Sequence, residues 1–263
     1  MFINNFSNRT ERVNRVRDNM GILDVKDLTK MFGGLCALNS VTFELMEGEI
    51  LGLIGPNGAG KTTLFNLITG FYKPSRGKIV YLNRDITKLK PYQIVKLGIS
   101  RTFQLTKPFF NMSVLDNVTV SRCYGRNPAR SVKEARREAE ELLEIVGLAD
   151  EADIIAGNLN FVNKRLLELA RALAAQPRVL LLDEVMAGLN SREMVDVGSL
   201  VRKIRDTGVT ILMIEHVMQA IMQLSDRIVV LDSGMKIAEG KPSEVARNEQ
   251  VIKVYLGESF ERR

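Results

Sequence analysis

Gly55-Pro56-Asn57-Gly58-Ala59-Gly60-Lys61-Thr62-Thr63 fills every required position of the phosphate-cradling pattern G-x-x-x-x-G-K-[ST]. The apolar run Ile50 to Ile54 ahead of it reads as a buried strand, and Leu64 to Thr69 behind it reads as a helix ending near Gly70. A helix that starts there turns unpaired backbone N–H groups and the positive end of its dipole toward an anion. Gly55, Gly58 and Gly60 let successive amides curl around phosphate oxygens. Lys61 adds a point charge for the terminal phosphates, and Thr62 offers a hydroxyl to Mg²⁺.

Working outward, strands and helices alternate in the manner of a parallel sheet with crossover helices. Residues 22–28 and 41–45 alternate like half-buried strands, with a loop expected over 29–38. After Gln104 the composition turns helical, and residues 105–175 read as a helical lobe inserted into an α/β core. The core resumes with Val179-Leu180-Leu181-Leu182-Asp183-Glu184, a continuous apolar run suited to a parallel strand buried on both faces. The expected organisation is a tail over 1–20 and a single domain over 21–263. The tail is rich in Asn and Arg, without the apolar core of a signal peptide, and reads as mobile.

Composition narrows the class without naming a partner. The chain has 263 residues, 45% hydrophobic and 26% charged, enough to bury a sizeable core. Cys36 and Cys123 make no metal or redox spacing, which suits a reducing compartment. No window reaches the apolar length of a membrane-spanning helix, so a membrane role is expected to come through a partner. The net charge of +6 suits nucleic acid, an anionic membrane surface or a solvated basic face equally well.

Five further positions carry candidate chemistry. Asp183 and Glu184 stand where a buried strand ends, the ligand-facing edge of an open α/β sheet. One carboxylate there can hold Mg²⁺ through its water shell, and the other can orient or deprotonate an attacking water. His216, the only histidine, follows Ile211-Leu212-Met213-Ile214-Glu215 and either hydrogen-bonds a γ-phosphate or plays a structural part. Gln104 reads as another strand end, where a neutral amide can touch both Mg²⁺ and water. Phe32 either stacks on a base or fills the core.

Together these residues resemble the ATP-binding subunits of ABC transporters over nearly all of residues 22–257. Walker A matches Gly55 to Thr63, Walker B Val179 to Glu184, and the Q-loop Gln104. The D-loop matches Ala187-Gly188-Leu189-Asn190, the switch histidine His216, and the adenine-stacking position Phe32. Arg101-Thr102-Phe103-Gln104, Thr69 to Pro74 and the ending Val251 to Gly257 look most like the ATPases of branched-chain amino acid importers. The resemblance implies ATP and Mg²⁺ as cofactors, with Mg²⁺ on Thr62, Gln104 and Asp183, catalysis by Glu184, His216 and Gln104, and a place on the cytoplasmic face of the membrane. It implies permease subunits as partners, with Phe109-Phe110 and Met112 either meeting them or filling the lobe core. A solute-binding protein is an indirect partner, and no nucleic acid is expected.

Two departures stand out. The signature L-S-G-G-Q aligns with Leu159-Asn160-Phe161-Val162-Asn163, ahead of a helix expected to begin near Asn163. A β-branched Val162 where glycine belongs is expected to crowd the phosphate of a partner subunit. Loss of one such donor typically costs about 3 kcal/mol, roughly a hundredfold in rate. Val185 stands where many family members have proline. The implied arrangement is a heterodimer, in which a second ATPase with an intact signature completes this chain's Walker A site.

Overall fold

The computed structural model describes residues 21–104 and 107–261; the proposed tail over 1–20 lies outside the described residues. The chain divides into two compact units, one holding Asp18–Pro91 with Thr210–Arg263 and the other holding Tyr92–Val209.

The first unit contains two sheets. Strands β1 (Gly21–Phe32), β2 (Leu35–Met46), β4 (Arg76–Tyr81) and β5 (Arg84–Asp85) form an antiparallel sheet in the order β2-β1-β4-β5. Strands β3 (Ile50–Ile54), β8 (Thr210–Ile214), β9 (Arg227–Asp232) and β10 (Met235–Gly240) lie in the order β10-β9-β3-β8. β3 runs parallel to both neighbours, and every residue of β3 and β8 is buried. That explains their unbroken apolar sequence, because a strand covered on both faces has no polar side to show. The Leu53↔Ile214 pairing brings the C-terminal ends of β3 and β8 side by side. Helix α1 (Lys61–Ile68) follows β3 directly.

The second unit is mostly helical: α2 (Pro91–Leu97), α3 (Val114–Tyr124), α4 (Val132–Val146), α5 (Phe161–Ala174) and α6 (Ser191–Asp206). Helices α3, α4 and α5 pack on one another. The start of α4 is set by Ser131, whose hydroxyl accepts from Glu134 N–H, and its stop by Gly147 at φ 77°. The strands of this unit are β6 (Ile99–Arg101) and β7 (Val179–Asp183), which pair in parallel. Between residues 107 and 175 the described chain contains no strand beyond an isolated bridge, Ser113↔Ile155.

Three local expectations are corrected. Residues 29–38 are not an open loop: β1 and β2 continue as a hairpin to the pair Phe32↔Leu35, turning on Gly33-Gly34. Gly33 takes φ 57°, which glycine adopts without steric cost. Gln104 does not end a strand, since β6 stops at Arg101 after three residues. The helix expected near Asn163 begins at Phe161, because the Asn160 side chain accepts the Asn163 N–H at 2.8 Å and starts the helix two residues earlier.

Candidate functional site

The loop after β3 is built as an anion cradle. A Cβ on Gly55 would stand 2.1 Å from Leu231 O, and Gly60, at φ 99°, would meet Leu38 and Ala37. No larger residue fits either place without moving the backbone. Gly58 is also left-handed, at φ 81°. Helix α1 starts from Gly60 with no side-chain cap and no acidic residue in its first turn, so nothing from its own sequence neutralises the positive end. Lys61 is only 7% exposed. Its Nζ donates to Gly55 O at 2.6 Å and Pro56 O at 2.9 Å, which arches the ammonium over the loop. Pro56 and Asn57 lie toward the surface, Ala59 is buried, Thr62 is exposed at the helix start, and Thr63 is half-buried.

At the same sheet edge of this unit, His216 is exposed just beyond β8. Phe32 is 40% exposed, so it is not a core residue. Its ring meets Tyr72 edge-on at 5.2 Å, and Lys30 Nζ lies 4.8 Å from its centroid. An aromatic face fixed on one side and open on the other is suited to stacking.

In the second unit, β6 and β7 end side by side and carry the carboxylates. Asp183 is fully buried, and its Oδ2 accepts from Arg101 Nη2 at 2.6 Å. Burial raises its pKa, while the Arg101 hydrogen bond and charge oppose the rise. Its other oxygen, Oδ1, is buried with no hydrogen-bond partner. An orphaned carboxylate oxygen at a strand end suits the water shell of a hard cation, so the residues fit a magnesium ion. Among the described residues no group of three His, Cys, Asp or Glu side chains can hold a metal by itself.

Glu184 takes a left-handed backbone at φ 53°, uncommon for a residue with a side chain. Arg165 Nη1 holds its carbonyl at 2.8 Å, and Gln104 Nε2 donates to its Oε2 at 2.8 Å. A proline at 185 would push residue 184 to extended backbone, and Val185 leaves the left-handed form open. Gln104 and Glu184 are thus brought together although β6 ends early.

The signature-like stretch has a different finish. Asn160 caps α5 through its side chain, and Phe161 stands 53% exposed at the tip with Arg165 stacked 5.0 Å from its ring. Val162 is half-buried, and it lines a small apolar pocket with Leu166 and Leu169, one and two turns on, and with Val185, Leu189 and Val197. Asn163 donates its side-chain amide to Glu151.

Sequence reasoning missed Arg101, Arg165 and Glu168. The last two were detectable as charges three apart on the buried side of α5. Arg101 stood out only as a cation at the end of the short strand Ile99–Arg101.

Comparisons with known proteins agree with this geometry. A family described as ABC transporter matches residues 38–187, and one described as branched-chain amino acid ATP-binding cassette transporter matches residues 235–261. The chain is 43% identical over 251 residues to the high-affinity branched-chain amino acid transport ATP-binding protein LivG of Salmonella typhimurium, across 90% of this chain and 98% of that protein. It is 42% identical over 251 residues to the corresponding BraF of Pseudomonas aeruginosa, with the same coverage. The solved ADP conformation of an ATP-binding cassette of an ABC transporter superposes with a TM-score of 0.83 at 32% identity, covering 90% of this chain and 99% of that one.

Proposed function

The chain belongs to the ATP-binding subunits of ABC transporters, in the group of LivG and BraF, and on that premise we propose that it energises the uptake of branched-chain amino acids. It is an ATPase whose hydrolysis is coupled to transport. The finer reading assigns each residue a task. The backbone from Gly55 to Thr63 and the Lys61 charge bind the phosphates, and Phe32 stacks on adenine. Thr62, Gln104 and Asp183 would hold Mg²⁺, which would offset the charge of the phosphates. Glu184 orients the attacking water and takes its proton, Gln104 fixes the Glu184 carboxylate, and His216 hydrogen-bonds the terminal phosphate.

The observation that carries hydrolysis is the 2.8 Å hydrogen bond from Gln104 to Glu184, whose backbone is held in an uncommon conformation by Arg165. Glu184→Gln in the assembled transporter tests it. Turnover is expected to fall about a thousandfold with ATP affinity retained. A regulatory cassette that binds ATP without turnover would show little change, and that outcome would overturn the reading.

The partners are permease subunits, a solute-binding protein and a second ATPase. Phe109 and Phe110 are exposed on a loop whose backbone is tied down by Asn117, which accepts Phe109 N–H and donates to Phe109 O. Rings held outward on a fixed loop suit a permease contact. No described helix is long and apolar enough to cross a membrane; those subunits would hold the chain at the cytoplasmic face. A self-capped α5 tip covered by Phe161 makes a poor half-site for another subunit's ATP, which favours a heterodimer.

A further inference from the structure

Helix α5 presents three charged side chains, one turn apart, to the segments that carry the candidate catalytic groups. Arg165 donates to Glu184 O. Glu168 accepts the Phe103 N–H at 2.7 Å. Arg171 donates to Lys107 O at 3.1 Å and lies over the Phe109 ring at 5.1 Å. Phe103 and Lys107 stand on either side of Gln104 in the sequence, and the backbone of both is fastened to one helix.

We propose that Glu168 and Arg171 are positioning residues that clamp the backbone at Phe103 and Lys107, on either side of Gln104, to α5, so that Gln104 meets Glu184 only in step with the signature helix. The proposal rests on the hydrolytic reading above and adds to it a reason for keeping α5 when its tip has diverged. The tip faces a partner, whereas the body of the helix serves this chain's own carboxylate. A hydrogen bond between neutral surface groups would exchange with water. Glu168 is 6% exposed, so its 2.7 Å bond to the Phe103 N–H is shielded from water. Its second oxygen is buried without a hydrogen-bond partner, so the carboxylate is committed to the one backbone amide rather than to a wider network. Neither side chain touches a reacting atom. Their effect is expected on kcat through Gln104, not on nucleotide affinity.

The experiment compares Glu168→Ala and Glu168→Gln in the full chain assembled with its transporter partners, reading ATP turnover, KM for ATP and hydrogen exchange of the Phe103 amide. The Ala variant is expected to lose about tenfold in kcat with KM within about twofold, and to speed Phe103 exchange about tenfold, the cost of one lost hydrogen bond. The Gln variant keeps an acceptor oxygen and is expected within about twofold of the parent on all three. Equal losses in Ala and Gln, or a loss confined to KM, would overturn the clamp. If the Ala variant does not fold, Arg171→Met supplies the second arm, and unchanged kcat there has the same force. Amide exchange needs no turnover. It therefore tests the clamp even if Glu184→Gln were to leave hydrolysis intact, which would defeat the hydrolytic reading alone.

Discussion

Helices α1 and α5 both begin where the family places a phosphate, yet their N-termini are finished in opposite ways. The first turn of α1 has no side-chain cap and no acid, and it opens behind three left-handed glycines with Lys61 arched over them. The first turn of α5 has one of its amides taken by its own Asn160, while an exposed Phe161 stands where a glycine would leave the backbone bare. An N-terminus recruits an anion when its donors are left to the ligand, and a capping side chain removes that need. One end of this chain is prepared for nucleotide and the other is satisfied within itself.

The contrast breaks most severely at α1. Lys61→Ala removes the one charge in the cradle and is expected to cost about 3 kcal/mol, roughly a hundredfold in ATP affinity, by titration with a fluorescent nucleotide. The contrast can also be narrowed from the other side. Asn160→Ser combined with Phe161→Gly replaces the capping amide with the signature's hydroxyl, removes the exposed ring from the α5 tip, and is expected to raise turnover at a partner's ATP by as much as about a hundredfold. Val162→Gly serves as its control. Val162 is half-buried and lines a small pocket with Leu166, Leu169 and Val185, so this change is expected to cost about 2 kcal/mol of stability in chemical denaturation and to gain no turnover.

A last test separates the body of α5 from its tip. Burial pushes the Glu168 carboxyl up to about 7 from an ordinary 4.5, against the pull of the Phe103 N–H and of Arg171, Arg165 and Arg101. The folded chain therefore holds this proton more tightly than the unfolded chain. The stability this proton provides is present at low pH and is lost as pH rises from about 4.5 through about 7. Glu168→Gln is expected to flatten the fall in unfolding free energy across that window, read by chemical denaturation, by no more than about 3 kcal/mol at its upper end. It should leave the α5 tip unchanged.

How much of this could be read beforehand depended on distance along the chain. The phosphate loop, the strand before it and the helix after it were legible because strand, loop and helix are local features. The hairpin at Phe32 was read as a loop because two adjacent glycines look like a break, although they make a tight turn between long strands. The start of α5 was misplaced because aligning a diverged motif hid an ordinary Asn160 cap. With that cap in place Phe161 stands exposed at the tip and Val162 is half-buried. The contacts that organise the carboxylates were illegible for a different reason. Arg101 reaches Asp183 across 82 residues, and Glu168 reaches Phe103 across 65, so neither pair leaves a local pattern.

The asymmetry between the two N-termini is tested most directly by ATP turnover of the purified chain alone against turnover with an ATPase subunit carrying an intact L-S-G-G-Q signature. The account predicts ATP binding in both samples and turnover at least about tenfold higher with the partner, since the α5 tip of a second copy leaves a developing phosphate charge poorly stabilised. Full turnover by the chain alone, as a homodimer, would contradict it.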